Sequence, residues 1–245
     1  MPRFFITEEQ YCDGVITITG EDAFHIARAQ RMAVGEEIVV CDTKGTTYTC
    51  RLDYIRDDIV KCTPLSQSEG NTEPPLALHL FMAWPKGDKL ETIVQKATEL
   101  GVASITPFSS QFCVKHPKDD KLPRQLARLA RIAEEAAKQC GRSKLPEIRT
   151  PLSFGEAIQE MAQCELPLLC YESEEGHTLR TALEGCPTMP ASIGLMVGSE
   201  GGFSQSEVNE ARLAGCISVG LGKRILRCET APLVALSGIL FFAEL

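Results

Sequence analysis

The sequence predicts an α/β protein with a mostly parallel sheet, preceded by a small β-rich domain. Three observations carry this prediction. Short apolar runs alternate with amphipathic helical patterns from about residue 75 onward, which is typical of βαβ units. Short alternating strands follow one another within residues 1–70, as they do in small barrels. A polar stretch with Gly and two prolines, Ser66 to Pro75, reads as a linker. We therefore predict domains over 1–70 and 75–245.

The composition excludes several classes of protein. The 245 residues are 44% hydrophobic and 24% charged, with a formal net charge of −8, which is ordinary for a globular protein. No apolar run reaches the roughly 18 residues that a membrane helix needs, and the start of the sequence lacks an export signal. Eleven cysteines are scattered without a C-x-x-C pair. We predict a cytoplasmic protein with reduced cysteines, no metal site and no membrane contact.

The first domain is expected to contain several short strands and one helix. The strands are predicted at Gly14–Thr19, Ile38–Asp42, Thr46–Leu52 and Ile59–Cys62. The helix is predicted from Glu21 to Met32. Its residues His25, Arg28 and Arg31 recur every third position and share a broad face. Contact with RNA phosphates and a plain solvated face are equally good interpretations of that spacing.

The second domain opens with a βαβ unit. The run Leu76–Trp84 is apolar throughout, as in a strand buried on both faces of a parallel sheet. An amphipathic helix follows and ends at Gly101. A second strand is predicted at Ile105–Phe108. The inward residues of the helix are expected to be Leu90, Ile93, Val94, Ala97 and Leu100.

Residues 121–142 form the clearest amphipathic helix in the sequence. A basic series lies on one face, and an apolar stripe expected to face the core is formed by Leu122, Leu126, Leu129, Ala133, Ala136 and Cys140. Residues 111–149 hold ten Lys or Arg against five Asp or Glu, in an acidic chain. A basic face on an acidic protein favours a polyanionic partner, whereas i,i+4 ion pairs would make it a solvated face. The candidate RNA-binding residues here are Arg124, Arg128, Arg131 and Arg142.

Two glycine-rich turns follow successive strands further along the chain. The strand Ile193–Val197 leads into Gly198-Ser199-Glu200-Gly201-Gly202, and the strand Cys216–Leu221 leads into Gly222. Ser204 and Glu207 form a capping box, so a helix should start near Gln205 and stop at Gly215. Another buried strand, Leu166–Glu172, should end at the same edge of the sheet. Ligands bind at the carboxyl ends of parallel strands, and plain tight turns are the alternative.

The sequence motifs of these segments resemble those of a known family. The motifs are VGSEGGFS followed by VGLGKRILRCETA, the segments KATELG and EEAAKQCGR, and the early RFF and H-x-x-R-x-x-R. They resemble motifs of the ribosomal RNA small subunit methyltransferase E family. That family belongs to the SPOUT class of RNA methyltransferases, which use S-adenosyl-L-methionine. The resemblance implies a SPOUT-type, mostly parallel sheet with a C-terminal trefoil knot over 75–245. It also implies a PUA-like RNA-binding β-barrel domain over 1–70.

The resemblance further implies a reaction. A methyl group would pass from S-adenosyl-L-methionine to N3 of a uridine in small-subunit (16S) ribosomal RNA. Members of the class are homodimers, and the apolar stretch Leu233–Phe242 is a candidate contact surface, although it also suits a core helix. The chain departs from the family at Ser199, where proline is usual, and at Cys228, where threonine is common. A serine keeps the loop small, and Cys228 reads as a packing residue.

Site residues follow from the matched motifs. Arg227 is the candidate for stabilising negative charge on a carbonyl or phosphate, with Arg224 second and also a candidate RNA contact. Glu229 or Glu200 is the candidate proton acceptor, with a loop-bracing role as the alternative for each. The residues expected to hold the cofactor are Gly198, Gly201, Gly202, Leu221, Gly222, Ile225 and Leu226.

Two other classes of function remain open on the sequence. A nucleotide-dependent oxidoreductase would also use a glycine turn, but the sequence lacks G-x-G-x-x-G and an acidic residue at the expected ribose position. A non-catalytic RNA-binding factor for ribosome assembly would keep the basic helix and the first domain. It would not bind the methyl donor, so a test of cofactor binding distinguishes a methyltransferase from a non-catalytic RNA-binding factor.

Overall fold

A computed structural model describes residues 1–113 and 120–244. Contacts between residues divide the chain into two compact units. One contains Met1–Glu73 with Ala137–Leu145, and the other contains Pro74–Ala136 with Pro146–Leu245. The short second segment of the first unit lies inside the region that the sequence analysis placed in the second domain.

The first unit is built on a six-stranded sheet in the order β1-β4-β5-β6-β3-β2. All its neighbouring strands are antiparallel except β1 and β4. Alternate residues of the strands, such as Ile16 and Ile18, are fully buried and form one core. The elements are β1 (Arg3–Phe5), β2 (Tyr11–Cys12), β3 (Val15–Thr19), α1 (Gly20–Phe24), β4 (Glu37–Cys41), β5 (Thr46–Ile55) and β6 (Ile59–Glu69).

The predicted helix from Glu21 to Met32 is only partly correct. After α1 the chain continues as a wider π-helical turn over His25–Ala29. Arg31 then takes a left-handed backbone conformation with φ of +53°. His25, Arg28 and Arg31 therefore do not lie on one regular helical face, although all three are exposed.

The predicted linker is shorter than expected. Residues 66–69 continue β6, and their backbone pairs with β5 as far as Thr46 opposite Glu69. The side chains from Leu65 to Glu69 are exposed. A strand with both faces in water needs no apolar alternation, so the sequence contained no signal for it.

The second unit contains a seven-stranded, wholly parallel sheet. Its main order is β10-β8-β7-β12-β11-β13, and β9 pairs with β8. The elements are β7 (Ala77–Ala83), α2 (Lys89–Glu99), β8 (Ser104–Ser109), α3 (Leu122–Cys140), β9 (Glu147–Ile148), β10 (Leu152–Ser153), α4 (Phe154–Met161), β11 (Leu166–Cys170), α5 (Leu179–Glu184), β12 (Ser192–Val197), α6 (Gln205–Leu213), β13 (Ile217–Val219) and α7 (Ala231–Glu244).

Helices cover both faces of this sheet, which explains why its central strands are mostly apolar. In β7, Leu78 and Leu80 pack in one core, while Phe81 packs in another. The first core includes buried residues of α2, α5 and α7, and the second includes those of α4 and α6. Most residues of a strand in such a sheet are apolar, since neither face meets water, and Thr106 and Ser218 are buried polar exceptions.

Local signals place several helices where the sequence predicted them. In α6, the Ser204 hydroxyl accepts from the N–H of Glu207, and the Glu207 carboxylate accepts from the N–H of Ser204. Gly215 follows with φ of +91°. Helix α2 buries Leu90, Ile93 and other predicted inward residues. The capping box and the terminal glycine thus act as the sequence predicted.

One prediction on α3 was wrong: Cys140, expected on the inward stripe, is exposed. Lys115 and Lys118, which contribute to the basic count between residues 111 and 149, lie outside the described residues. Within the ranges that the structure describes, no helix combines the length and hydrophobicity needed to cross a membrane.

Candidate active site

The carboxyl ends of β11, β12 and β13 surround a cavity of about 470 Å³. Three connections form its wall. The first loop (residues 198–204) follows β12, the second loop (residues 220–230) follows β13, and Tyr171 and Glu172 follow β11. The cavity lies where the rule for parallel sheets places a ligand. Eleven residues selected from the sequence line it: Gly198, Glu200, Gly201, Gly202, Leu221, Gly222, Arg224, Ile225, Leu226, Arg227 and Glu229.

Gly202 is required by the conformation of the first loop. Its φ is +65°, in the left-handed region that residues with a Cβ rarely adopt. A Cβ at this position would lie 2.5 Å from Oε1 of Glu172. At Gly198, a Cβ would lie 3.1 Å from the backbone of Gly202. The left-handed backbone therefore requires glycine at position 202, and Gly198 permits the close approach of the loop to itself.

Glu174 connects the segment after β11 to the neighbouring strand. Its carboxylate accepts hydrogen bonds from the Ser218 hydroxyl, from Arg212 at 2.7 Å, and from the N–H groups of Gly176 and His177. These bonds lower the pKa of Glu174 to about 2, the bond from Ser218 having the largest effect. The carboxylate therefore stays ionised at every physiological pH.

Lys89, in the first turn of α2, occupies the space between the two loops. Its Nζ lies 2.8 Å from Oε1 of Glu200 in the first loop and 3.5 Å from Oε2 of Glu229 in the second. The backbone N–H of Lys86 donates to Glu200 as well, at 3.1 Å. Sequence reasoning did not select Lys89, because a lysine in the first turn of a helix resembles an ordinary solvated residue.

The charges in this cluster stabilise one another. The pKa of Lys89 is raised, chiefly by its hydrogen bond to Glu200. Burial acts to raise the pKa of Glu200, but the bonds from Lys89 and the backbone outweigh it, so that pKa is lowered. The pKa of Glu229 is lowered by its own backbone N–H first and by Lys89 among other contacts. Both candidate proton acceptors are thus anions near neutral pH.

Cys228 lies beside these carboxylates but is not activated. Burial, followed by its hydrogen bond to Glu229, raises the pKa of this thiol to about 12. A thiol with that pKa is protonated at neutral pH and is a poor nucleophile. This state agrees with the packing role that the sequence suggested.

Arg224 and Arg227 present positive charge at the cavity. Both are exposed, and neither forms an ion pair within the described part of the chain. Ile225, between them in sequence, lines the cavity with 84% of its surface exposed. The second loop therefore contributes two guanidinium groups and an apolar side chain that are accessible to a ligand.

Of the four arginines selected from residues 121–142, three lie in α3, and the fourth, Arg142, follows the end of the helix. Arg124, Arg128 and Arg131 are exposed, and Arg128 donates to Glu91 at 2.7 Å. In the first unit, Arg28 forms a bidentate ion pair with Asp57. None of these residues, nor His25 or Arg31, lines the cavity.

The prediction that Arg142 contacts RNA was wrong. This residue is only 4% exposed, and its guanidinium donates to both oxygens of Glu73, at 2.6 Å for the shortest contact. Glu73 also accepts from the N–H groups of Ser143 and Lys144. Arg142 holds together parts of the first unit that are distant in sequence, and a phosphate cannot reach it there.

Comparisons with known proteins define first the class and then the family. A family model described as an RNA methyltransferase domain matches residues 72–240, and one described as an RNA methyltransferase PUA domain matches residues 18–65. With its parallel sheet, glycine-loop cavity and separate β-rich unit, the protein is of the RNA methyltransferase class. The chain belongs to the ribosomal RNA small subunit methyltransferase E family, as the resemblance of its motifs implied.

Named relatives cover almost the whole chain. Ribosomal RNA small subunit methyltransferase E of Bacillus subtilis is 35% identical over 251 aligned residues, covering 100% of this chain and 98% of the relative. The crystal structure of that enzyme from Neisseria gonorrhoeae, bound to S-adenosyl methionine, matches with a TM-score of 0.86 at 29% identity. That match covers 99% of this chain and 98% of the other.

Proposed function

We propose that this protein transfers a methyl group from S-adenosyl-L-methionine to N3 of a uridine in small-subunit (16S) ribosomal RNA. The observation that carries the proposal is the cavity in which two glycine loops meet at the carboxyl ends of parallel strands. Family membership and the S-adenosyl methionine bound to the Neisseria gonorrhoeae relative support it.

The cavity and its lining residues fit a cofactor of the size of S-adenosyl-L-methionine. A volume of about 470 Å³ lies within the range of small-molecule sites. Glycines in the wall let backbone N–H and C=O groups approach a ligand closely. Ser199 is buried there, and its Oγ has no hydrogen-bond partner among the described residues. The backbone would hold the cofactor, mainly at Gly198, Gly201, Leu221, Gly222 and Leu226.

The donor supplies an electrophilic methyl group, so the protein must position the uridine and stabilise its charge. N3 carries a weakly acidic proton, and negative charge develops on the flanking carbonyl oxygens as that proton leaves. The unpaired guanidinium of Arg227 suits those oxygens, and that of Arg224 suits them or a phosphate. Glu200 and Glu229 are ionised and can accept a proton, but their lowered pKa values make them weak bases. Charge stabilisation should therefore lower the barrier more than proton transfer does.

RNA must be held while one base enters the cavity. Sequence-specific RNA enzymes take bases from loops or flip them out of a helix, because a stacked base is inaccessible. Arg124, Arg128 and Arg131 would bind the phosphates from α3, and His25, Arg28 and Arg31 would do so from the first unit. The arginines that already have carboxylate partners would exchange them for phosphate.

We further propose a cytoplasmic homodimer whose contact surface is α7, and a trefoil knot within residues 193–231. Helix α7 is apolar along its length, yet Val234, Phe241 and Phe242 are exposed. Exposed apolar groups of this size on one helix favour a protein partner. A second copy is the partner that the family resemblance implies.

Cofactor binding tests this function first. Calorimetry with S-adenosyl-L-methionine should detect binding to the wild type and none to Gly202→Val, because a side chain at φ of +65° distorts the first loop. Gly155→Ala is the control, since its Cβ would meet nothing closer than 3.5 Å. Mass spectrometry of ribosomal RNA nucleosides should then detect N3-methyluridine after incubation with unmodified small subunits.

The same measurements separate the alternative function. A wild-type protein that binds ribosomal RNA but not S-adenosyl-L-methionine, with or without RNA present, would be a non-catalytic assembly factor. Methylation at another atom of the nucleotide would retain the enzyme class and refute the N3 assignment.

A further inference from the structure

One ammonium group connects three separate segments of the cavity wall. Lys89 belongs to α2, Glu200 to the first loop and Glu229 to the second loop. The lysine Nζ is a full hydrogen-bond partner of Glu200 and lies within ion-pair distance of Glu229. Helix α2 is itself packed firmly, since Leu90, directly after the lysine, is only 4% exposed. The ammonium group thus projects from a rigid element onto two loops that have little regular structure.

We propose that Lys89 is a positioning residue for methyl transfer: by binding Glu200 and Glu229 together, it fixes the two loops in the arrangement that forms the cofactor cavity. The inference rests on the proposed function, because the cavity is taken to hold S-adenosyl-L-methionine. It assigns to the two glutamates a shared structural role, in addition to any proton transfer by one of them.

The ammonium of Lys89 favours the ionised form of both carboxylates, together with the backbone N–H groups that bind them. Two carboxylates within reach of one ammonium lie close to each other, and such pairs cannot both remain ionised easily once the cation is removed. Without Lys89, repulsion would move the loops apart at high pH. Proton uptake by one carboxylate would partly relieve the repulsion at low pH. Cys228 faces this cluster at 3.9 Å from Nζ, and the other titratable or charged groups that line the cavity are Cys170, Tyr171, Glu172, Arg224 and Arg227.

Hydrogen exchange of the free protein tests the positioning role without any cofactor. In Lys89→Met, amides of residues 198–204 and 220–230 should exchange roughly tenfold faster, which corresponds to about 1.4 kcal/mol. Lys89→Arg keeps the charge and should restore most of the protection. Lys96→Met is the matched control, because Lys96 lies on the same helix and, among the described residues, its ion pair is with Glu99 of that helix. Unchanged loop exchange in Lys89→Met, or equal acceleration throughout the second unit, would overturn the proposal.

Cofactor affinity measured against pH provides the second readout. The wild type should bind S-adenosyl-L-methionine with little change between pH 5 and 8, since both carboxylates are ionised throughout. Lys89→Met should bind S-adenosyl-L-methionine roughly tenfold more weakly than the wild type at pH 8. This difference in affinity should become smaller toward pH 5. If the difference in affinity between the wild type and Lys89→Met stayed the same at every pH, the loss would come from packing alone, and the electrostatic role of Lys89 would be refuted. If the wild type fails to bind at all, the proposed function fails, while the exchange result still decides the role of Lys89.

Discussion

Glu174 shows how a single carboxylate can hold a loop beside the cavity. Its side chain is only 9% exposed and accepts from a hydroxyl, a guanidinium and two backbone N–H groups. Ser218 lies in β13 and Arg212 in α6, so the segment after β11 is bonded to both elements. Tyr171 and Glu172 in this segment line the cavity, so a displacement of the segment would change the shape of the cavity wall.

We expect Glu174→Gln to lower the free energy of unfolding by about 1–3 kcal/mol near neutral pH, since the substitution removes charge-assisted hydrogen bonds. The folded pKa of about 2 is below the ordinary 4.5. The stabilisation is therefore complete above about pH 5 and disappears as pH falls from 4.5 to 2. Thermal unfolding of both proteins across that range measures the difference. Glu175→Gln, an exposed neighbour, should match the wild type, and a difference independent of pH would contradict the assignment.

Arg142 and Arg128 belong to the same basic series but have different environments. Removing one partner of a buried ion pair leaves the other charge uncompensated. Arg142→Met should therefore lower the free energy of unfolding by about 3–5 kcal/mol, measured by urea unfolding. Arg128 is 66% exposed, and Arg128→Met should change stability by less than about 0.5 kcal/mol. Equal stability losses would contradict the distinction.

The limits of sequence reasoning at this scale come from partners that are distant in the chain. Glu73 precedes Arg142 by 69 residues, and Glu200 follows Lys89 by 111. Helical spacing identified the basic series, but it contains no information about which member meets a buried carboxylate. Gly202 and Gly222 were easier to select, because their left-handed backbone conformation is a local property.

At the scale of elements, α3 carries the expected RNA-binding surface. The double variant Arg124→Ala, Arg131→Ala should weaken binding to ribosomal RNA and reduce its salt dependence. The slope of log affinity against log salt should fall by roughly 0.7 to 0.9 for each phosphate that the variant no longer neutralises. Fluorescence anisotropy at several salt concentrations measures this slope. Arg180→Ala, which removes an exposed arginine of α5, should leave the slope unchanged. An unaltered slope in the double variant would exclude α3 from the interface.

Elements with local signals were predicted well, and those without were not. The apolar face of α2 and the capping box of α6 determine those helices from within a few residues. The last part of β6 is polar and exposed, so only its pairing with β5 makes it a strand. The π-helical turn after α1 likewise has no periodic signature. The cavity itself was predictable, because glycine turns after parallel strands must meet at one edge of the sheet.

At the scale of the whole molecule, α7 is the proposed contact surface for a second copy. Phe241 is 69% exposed and Phe242 is 45% exposed. Phe241→Asp should shift the protein from dimer to monomer in analytical ultracentrifugation, because a carboxylate cannot be buried in an apolar contact without a partner. Leu213→Asp is the control, since Leu213 is 90% exposed on a different helix. A wild type that sediments as a monomer would refute the proposed dimer.

The central pairing of the parallel sheet has a consequence for biosynthesis. Strand β7 pairs with β12, with Leu78 opposite Ile193, so more than a hundred residues must be translated before β7 has this neighbour. Contacts between such distant segments slow folding and leave apolar strands exposed in the nascent chain. The two loops of the cavity wall, residues 198–204 and 220–230, come from still later parts of the chain. During translation the chain should therefore depend on chaperones, and it should gain the ability to bind a methyl donor only after nearly all of it has left the ribosome.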